Sequence, residues 1–163
     1  MLVVSNTSPI ANLAFINRLG LLPSQFERLW IPEAVRSELD RIPAPAAKAS
    51  IEQMSQTGWL KSRPIENLSL AAVLGKELDR GEAEAIALSI EMKADLLLID
   101  EREGRIVARQ AGLRVRGVLG ILLRAKAKGE ISSVKTEIEA LRNRAGFFVA
   151  PRLEAEILRS AGE

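Results

Sequence analysis

Short runs of apolar residues along the chain predict the strands of a buried sheet. Such runs occur at residues 2–4, 29–32 and 96–99, and in the segment that begins at Leu113. Continuous apolar runs bounded by turn-forming residues are typical of parallel strands that are covered on both faces. Residues 58–64 predict a turn, with a further short strand as the alternative. We therefore expect a central, mostly parallel sheet of about four to five strands.

Helical spacing of apolar residues fills the segments between these runs. Ser8 followed by Pro9 predicts the start of the first helix, with Ser8 as its N-cap, and Gly20 predicts its end. Strands that alternate with helices predict a three-layer α/β/α sandwich. No linker divides the 163 residues, so we expect one domain over 1–163, with the C-terminal helices in 132–163 as part of it. Further helices are predicted at 33–40, 46–57, 68–79, 81–92, 101–111, 119–128, 132–144 and 152–160.

Composition narrows the chemistry because the chain contains neither cysteine nor histidine. These two absences exclude disulfides, the serine–histidine–aspartate triad, thiolate nucleophiles, and metal sites built from imidazole or thiolate. An enzyme with this composition must work with carboxylates, amides, hydroxyls, lysines and arginines. A metal held by such groups would be a hard cation, Mg²⁺ or Mn²⁺.

Charge is distributed unevenly along the chain. Residues 101–150 contain 11 lysines and arginines but only 5 glutamates, whereas residues 1–100 contain 10 basic and 13 acidic side chains. This asymmetry suits a carboxylate site beside a surface that binds a polyanion. Ordinary solvated helix faces are the alternative explanation. The sequence has neither a signal-peptide pattern nor a long apolar span, so we expect a cytoplasmic protein that does not enter a membrane.

The residues that follow each predicted strand are the first candidates for chemistry, because ligands of parallel sheets bind beyond the carboxyl ends of the strands. Asn6 follows the first strand, and Asp100 and Glu101 follow the strand at 96–99. Asn6 and Asp100 could instead cap helices. Arg102 and Arg105 come next at helical spacing, where they could bind phosphates or remain solvated.

Three glutamates in helices complete the set of candidates. Glu82 and Glu84 lie in the first predicted turn of their helix, where acids also stabilise the helix dipole. Glu82 precedes apolar residues by three and four positions, which puts it at the edge of the face toward the sheet. Glu38 lies late in a helix, where the dipole disfavours an acid, and so is harder to explain structurally.

Several segments in this order resemble the PIN-domain superfamily of metal-dependent ribonucleases, in particular its bacterial and archaeal branch related to VapC-type toxins. The segments that carry the resemblance are VVSNTSPIANLA, IPEAVRSEL with Glu38, LDRGEAEAIALS with Glu82, ADLLLIDEREGRIVARQAGLRV with Asp100, and GVLGILLRAKAKGEI. The family start is usually written with aspartate where this chain has Asn6.

The resemblance implies a metal-dependent endoribonuclease with Mg²⁺ or Mn²⁺ held by Asn6, Glu38, Glu82 and Asp100. Glu84 is the alternative to Glu82, and Glu101 is the alternative to Asp100. It further implies that RNA is the substrate, with Thr7 or Ser8 as the adjacent hydroxyl, and that an antitoxin protein and a second copy of the chain are partners. The four expected RNA contacts are Thr7, Ser8, Arg102 and Arg105.

Asn6 creates a second hypothesis. An amide oxygen can coordinate a hard cation but brings no negative charge and cannot act as a base. Replacing one of four carboxylates by an amide should weaken metal binding. The alternative function is therefore a non-catalytic module that binds nucleic acid or protein and retains a decayed PIN active site.

Overall fold

Five parallel strands form the centre of the computed structural model, which describes all 163 residues. In the order β3-β2-β1-β4-β5, every neighbouring pair is parallel. Residues 58–64, for which the sequence predicts a turn and a short strand, contain strand β3 at one edge of the sheet. The strands are β1 (Val3–Ser5), β2 (Leu29–Pro32), β3 (Leu60–Arg63), β4 (Leu96–Leu98) and β5 (Val115–Arg116).

Ten helices connect and follow these strands, and none of them is long and apolar enough to cross a membrane. They are α1 (Thr7–Phe15), α2 (Leu21–Gln25), α3 (Glu33–Asp40), α4 (Pro45–Gln56), α5 (Leu68–Leu74), α6 (Arg80–Met92), α7 (Arg102–Gln110), α8 (Val118–Ala127), α9 (Val134–Ala145) and α10 (Pro151–Ser160).

The first helix differs from its prediction at both ends. It begins at Thr7 rather than at Pro9, so Ser8 is not its N-cap; Asn6 occupies that position without a side-chain capping bond. Proline is tolerated within the first helical turn because its missing N–H would have no helical acceptor there. The helix ends at Phe15 rather than near Gly20, since Asn17 adopts a left-handed conformation with φ of 58°, which asparagine tolerates. The unpredicted α2 follows.

The predicted three-layer sandwich is confirmed by the alternation of buried side chains in the central strands. Val3 and Leu98 belong to a core that includes α1, α8 and α9 on one face of the sheet. Val4, Leu97 and Ile99 belong to a second core, formed with α6 and α7 on the other face. Because successive side chains of a strand point to opposite faces, the sheet is covered on both sides.

The C-terminal helices pack against the rest of the molecule by different means. Helix α9 contributes Val134, Ile138 and Leu141 to the larger core. Helix α10 contains no fully buried residue. It is fastened to α9 by the ion pair between Arg142 and Glu154 and by the side chain of Glu163, which accepts hydrogen bonds at the start of α9. On this packing we propose that 132–163 form one unit with the preceding residues.

Sheet topology places two predicted site residues side by side. The strand order reverses direction at β1, which lies between β2 and β4. Asn6 continues the pairing of β1 with β4, because its backbone N–H donates to the Leu98 carbonyl at 2.8 Å. Asp100 lies just beyond β4. The carboxyl ends of two central strands therefore meet at the topological switch point, where ligands of such sheets bind.

Candidate active site

Asn6 is a buried amide with one unsatisfied atom. The residue is only 2% exposed, and its Nδ2 donates to Oε2 of Glu101 at 3.0 Å. An ionised carboxylate can only accept, so this contact requires the amide nitrogen to face Glu101. The amide oxygen, Oδ1, is buried without a hydrogen-bond partner. Since most buried polar atoms have a partner, this oxygen is a candidate ligand atom.

Two hydroxyls at the start of α1 hold acidic side chains at the site. Thr7 Oγ1 donates to Oε2 of Glu38, and Ser8 Oγ donates to Oε1 of Glu101. Glu101 is thereby bound through both oxygens, by Ser8 and by Asn6. The predicted role of Thr7 and Ser8 in contacting RNA stays a prediction; in the structure both residues position acids.

Glu82 combines a structural contact with a place in the acidic cluster. It is 6% exposed and forms a capping box with Asp79, whose N–H donates to Glu82 Oε2 at 3.2 Å. The neighbouring Gly81 is covered by the carboxylate of Glu38, because a Cβ atom built at Gly81 would lie 2.6 and 2.7 Å from its two oxygens. The absence of a side chain at Gly81 thus lets Glu38 approach the first turn of α6 next to Glu82.

Asp100 is fixed by donors on two other helices. Its Oδ1 accepts from the backbone N–H of Val118 at 2.7 Å, at the start of α8, and its Oδ2 accepts from Asn12 Nδ2 at 3.3 Å. Asp100 therefore caps α8 and not the helix that follows it in sequence. Asn12 was not predicted as a site residue; its position one helical turn after Ser8 was the available signal.

The electrostatics show that these acids share a poorly solvated space. Burial, together with the charge of Asp79, raises the pKa of Glu82 to about 7, and Glu101 and Glu38 add to the increase. Burial also raises the pKa of Asp100 to about 6, with a further increase from Glu101. None of the seven ion pairs in the structure includes Glu38, Glu82, Asp100 or Glu101. The cluster consequently has an excess of negative charge.

The two alternative acids have different surroundings. Glu101 lies in the cluster, in contact with Asn6 and Ser8. Glu84 is buried elsewhere: it accepts from the N–H of Ala34 at the start of α3 at 3.2 Å and from Arg80 at 2.9 Å. Glu84 therefore stabilises α3. Glu101 links the predicted residues: its side chain contacts Asn6, and its charge acts on Glu82 and on Asp100. The charge of Glu38 also acts on Glu82.

The donor set fits a hard divalent cation. Carboxylate oxygens and an amide oxygen are the ligands that Mg²⁺ and Mn²⁺ prefer, and the unpartnered Oδ1 of Asn6 provides one such atom. No three acidic side chains are arranged as a ready metal-binding cluster, however. Hydrogen bonds within the protein already occupy Glu38, Glu101 and Asp100. A cation would have to draw some of these oxygens away from their present donors.

Comparison with known proteins identifies the family. Searches of curated proteins and of solved structures found no significant match. The family model DUF3368, described as a PIN domain, matches residues 2–163. This match covers nearly the whole chain and agrees with the observed α/β/α architecture, a fold of the nuclease type. The chain belongs to the PIN-domain family.

Proposed function

We propose that this PIN domain is a metal-dependent endoribonuclease whose site is formed by Asn6, Glu38, Glu82 and Asp100, with Glu101 beside them. The buried, unpartnered oxygen of Asn6 within an acidic cluster is the observation that carries the proposal. An excess of negative charge on partly buried side chains is unfavourable unless a cation balances it. A divalent ion would supply that balance, and Mg²⁺ or Mn²⁺ suits the oxygen ligands.

The chain's own residues would orient the reacting groups. When bound, a divalent ion would lower the pKa of a water molecule and offset the charge of the phosphodiester. Thr7 and Ser8 keep Glu38 and Glu101 at the site, and Asn12 and the start of α8 keep Asp100 there. Burial and the neighbouring acids raise the pKa of Glu82 to about 7 in the metal-free protein, and a bound divalent ion would favour its ionised form.

Residues beyond the cluster would contact the RNA. Arg102 is exposed at the start of α7, and Arg105 lies one turn further along the same helix. Both line a groove that also includes Asp100. The guanidinium groups of these two arginines, next to the carboxylate site, would bind phosphates of the RNA near the scissile bond.

The alternative is a non-catalytic module that binds nucleic acid or protein. It is favoured by the charge of the site residues, because Asn6 adds none, and by the absence of a preformed metal-binding cluster. In that case no cation would displace the hydrogen bonds that Glu38, Glu101 and Asp100 accept in the structure.

Calorimetric titration with Mn²⁺ and an RNA cleavage assay separate the two. We expect Mn²⁺ to bind and RNA to be cleaved, with both lost in EDTA, and cleavage lost in Asp100→Asn and Glu38→Gln. Glu27→Gln, at an exposed acid outside the site, is the control. Cleavage that persists in EDTA or in both site variants would overturn the metal-dependent mechanism. Binding of RNA without turnover, even with Mn²⁺, would favour the alternative.

The resemblance to toxin ribonucleases extends the proposal to partners. We propose a toxin role with an antitoxin protein that inhibits the site, and association of the chain with a second copy. We further propose the cytoplasm as the compartment, since RNA is the substrate. Co-expression with the product of an adjacent gene, followed by measurement of growth and of complex size, tests the toxin role.

A further inference from the structure

A groove of about 800 Å³ runs beside Asp100 and has two chemically different sides. One side contains four arginines, from α7 and β5, together with the apolar residues Ile106, Val115 and Leu119. The other side is apolar and comes from the segment before α10 and from α10 itself. The basic residues are Arg102, Arg105, Arg109 and Arg116, and the apolar ones include Phe147, Phe148 and Leu153.

The basic side consists mainly of arginines that have no acidic partner. Arg102, Arg105 and Arg109 are spaced by three and four residues along α7, so they share one face of the helix. None of them takes part in any of the seven ion pairs. The carboxylate of Asp100 offsets part of the charge of Arg105. Like charges at this spacing are unfavourable on a helix surface, and a bound polyanion would relieve the remaining repulsion.

The apolar side presents an aromatic ring to solvent. Phe148 is 82% exposed, and it is the only exposed residue among the aromatic side chains of the chain. Gly146, two residues before Phe148, has a left-handed backbone, and Val149, which follows Phe148, is buried. These neighbours fix the backbone on both sides of Phe148. Phe148 therefore points away from the core into the groove that it lines. Exposure of a large ring is unfavourable in water unless a ligand covers it.

We propose that this groove binds a single-stranded segment of the nucleic acid, with phosphates on the arginines of α7 and an unpaired base stacked on Phe148. The inference rests on the proposed function and adds to that site a base-stacking position at Phe148. Combining a cationic track with an exposed aromatic ring is how proteins hold single strands. In a duplex the base faces are stacked on one another, and they are not available to Phe148.

Charge distinguishes this occupant from a protein segment. Among the charged lining residues, four are arginines and one is Asp100, so the groove is strongly positive. An acidic peptide would satisfy the arginines, but it would need no aromatic ring at the position of Phe148. A nucleic acid strand supplies both a negative backbone and flat bases, and so uses both sides of the groove.

Fluorescence anisotropy in EDTA, which prevents turnover, tests the proposal with the full chain. The probe is a labelled RNA of about ten nucleotides, used as a single strand and annealed to its complement. We expect the single strand to bind more tightly than the duplex. Phe148→Ala should weaken single-strand binding by about 5- to 160-fold, the range for loss of one stacked base. Phe148→Leu should lose nearly as much, because it keeps apolar area but has no ring.

Matched controls address the two sides separately. Leu68→Ala removes another exposed apolar side chain, on α5, and should leave the affinity unchanged. Arg102→Gln and Arg109→Gln should each make the dependence of log affinity on log salt concentration shallower by about 0.7, whereas Arg28→Gln, at an exposed arginine before β2, should not.

The outcomes separate this inference from the nuclease proposal. Equal affinity for single strand and duplex, normal binding by Phe148→Ala or Phe148→Leu, or no RNA binding would overturn the inference. Equal displacement of RNA from the natural protein and from Phe148→Ala by polyglutamate would overturn it too, since the groove would then recognise charge alone. A protein that binds single strands through Phe148 but never cleaves RNA supports the inference and overturns the nuclease. If Phe148→Ala cleaves RNA with the natural rate and KM, the inference about Phe148 is wrong and the nuclease proposal stands.

Discussion

The side-chain nitrogen of Asn6 donates to Glu101 at 3.0 Å, while the oxygen of the same amide is buried without a partner. The contact joins the ends of β1 and β4 with a neutral donor. An aspartate in this position would face Glu101 as a second anion. The amide thus stabilises the metal-free protein at the expense of charge available for a cation.

Asn6→Asp should destabilise the metal-free protein and strengthen metal binding. In EDTA we expect the free energy of unfolding to fall by about 1–3 kcal/mol, because a hydrogen bond to a charged group is replaced by repulsion. Affinity for Mn²⁺ should rise, since a fourth carboxylate joins the predicted ligands. Urea denaturation with and without Mn²⁺, and calorimetry, measure both effects. Asn143→Asp, at an exposed position of α9, is the control. Unchanged stability together with unchanged Mn²⁺ affinity would contradict this account of Asn6.

The pKa of Glu82 predicts how stability depends on pH. Its value of about 7 lies above the ordinary 4.5, so the folded state binds the proton more tightly than the unfolded state. The resulting stabilisation is complete below pH 4.5 and is lost as the pH rises through about 7. Asp100, with a pKa raised from 3.8 to about 6, acts in the same direction. In EDTA, the free energy of unfolding should therefore decrease between pH 4.5 and pH 7.5 as far as these groups contribute.

Glu82→Gln provides the comparison for this pH effect. The amide oxygen of Gln can still accept from Asp79, but the side chain no longer titrates. Its unfolding free energy should depend less steeply on pH than that of the natural protein, whereas Glu27→Gln should leave the dependence unchanged. Because Mn²⁺ binds ionised carboxylates, its stabilising effect on the natural protein should be larger at pH 8 than at pH 5. If the unfolding free energies of Glu82→Gln and the natural protein changed equally with pH, titration of Glu82 would not be the cause of the pH dependence.

Gly81→Ala tests the close approach of Glu38 to α6. The new methyl group would lie 2.6–2.7 Å from the oxygens of Glu38, so this carboxylate must move. We expect Mn²⁺ affinity to fall at least about tenfold, the lower end for disturbed metal-ligand positioning. Stability should change by less than about 1 kcal/mol, because alanine favours the helix by about that amount. Gly20→Ala has open space around the new methyl group and is the control. Natural Mn²⁺ affinity in Gly81→Ala would show that the position of Glu38 does not matter.

Glu84→Gln separates the two glutamates of the same helix turn. It weakens the contact with Arg80 but leaves an acceptor for Ala34, so we expect a stability loss of about 1 kcal/mol and natural RNA cleavage. Glu82→Gln should instead reduce cleavage strongly. Thermal melting and the cleavage assay, run on both variants, measure the difference. Loss of cleavage in a folded Glu84→Gln protein would return Glu84 to the site.

Sequence reasoning located the strand ends well because polar residues that follow buried apolar runs are visible in the pattern itself. Asn6 and Asp100 were found in this way. It favours Glu82 over Glu84 from the helical face, but residues two positions apart lie on different sides of a helix, and only the packing of α6 shows that Glu84 contacts the start of α3. Ser8 was misplaced as a cap because its hydroxyl binds Glu101, a contact across 93 residues that no local signal reports.

The contacts that hold α10 determine the stability of the apolar side of the groove. The helix has no fully buried residue, and the side chain of Glu163 accepts from the backbone of Val134 and Lys135 and from Ser133. These hydrogen bonds lower the pKa of Glu163 to about 2, so the stabilisation is present above pH 4.5 and is lost as the pH falls toward 2. Amide hydrogens of α10 should therefore exchange through local opening well before those of α6, and their protection relative to intrinsic exchange should fall further in strong acid. Helix α10 would be the part of this unit that opens first.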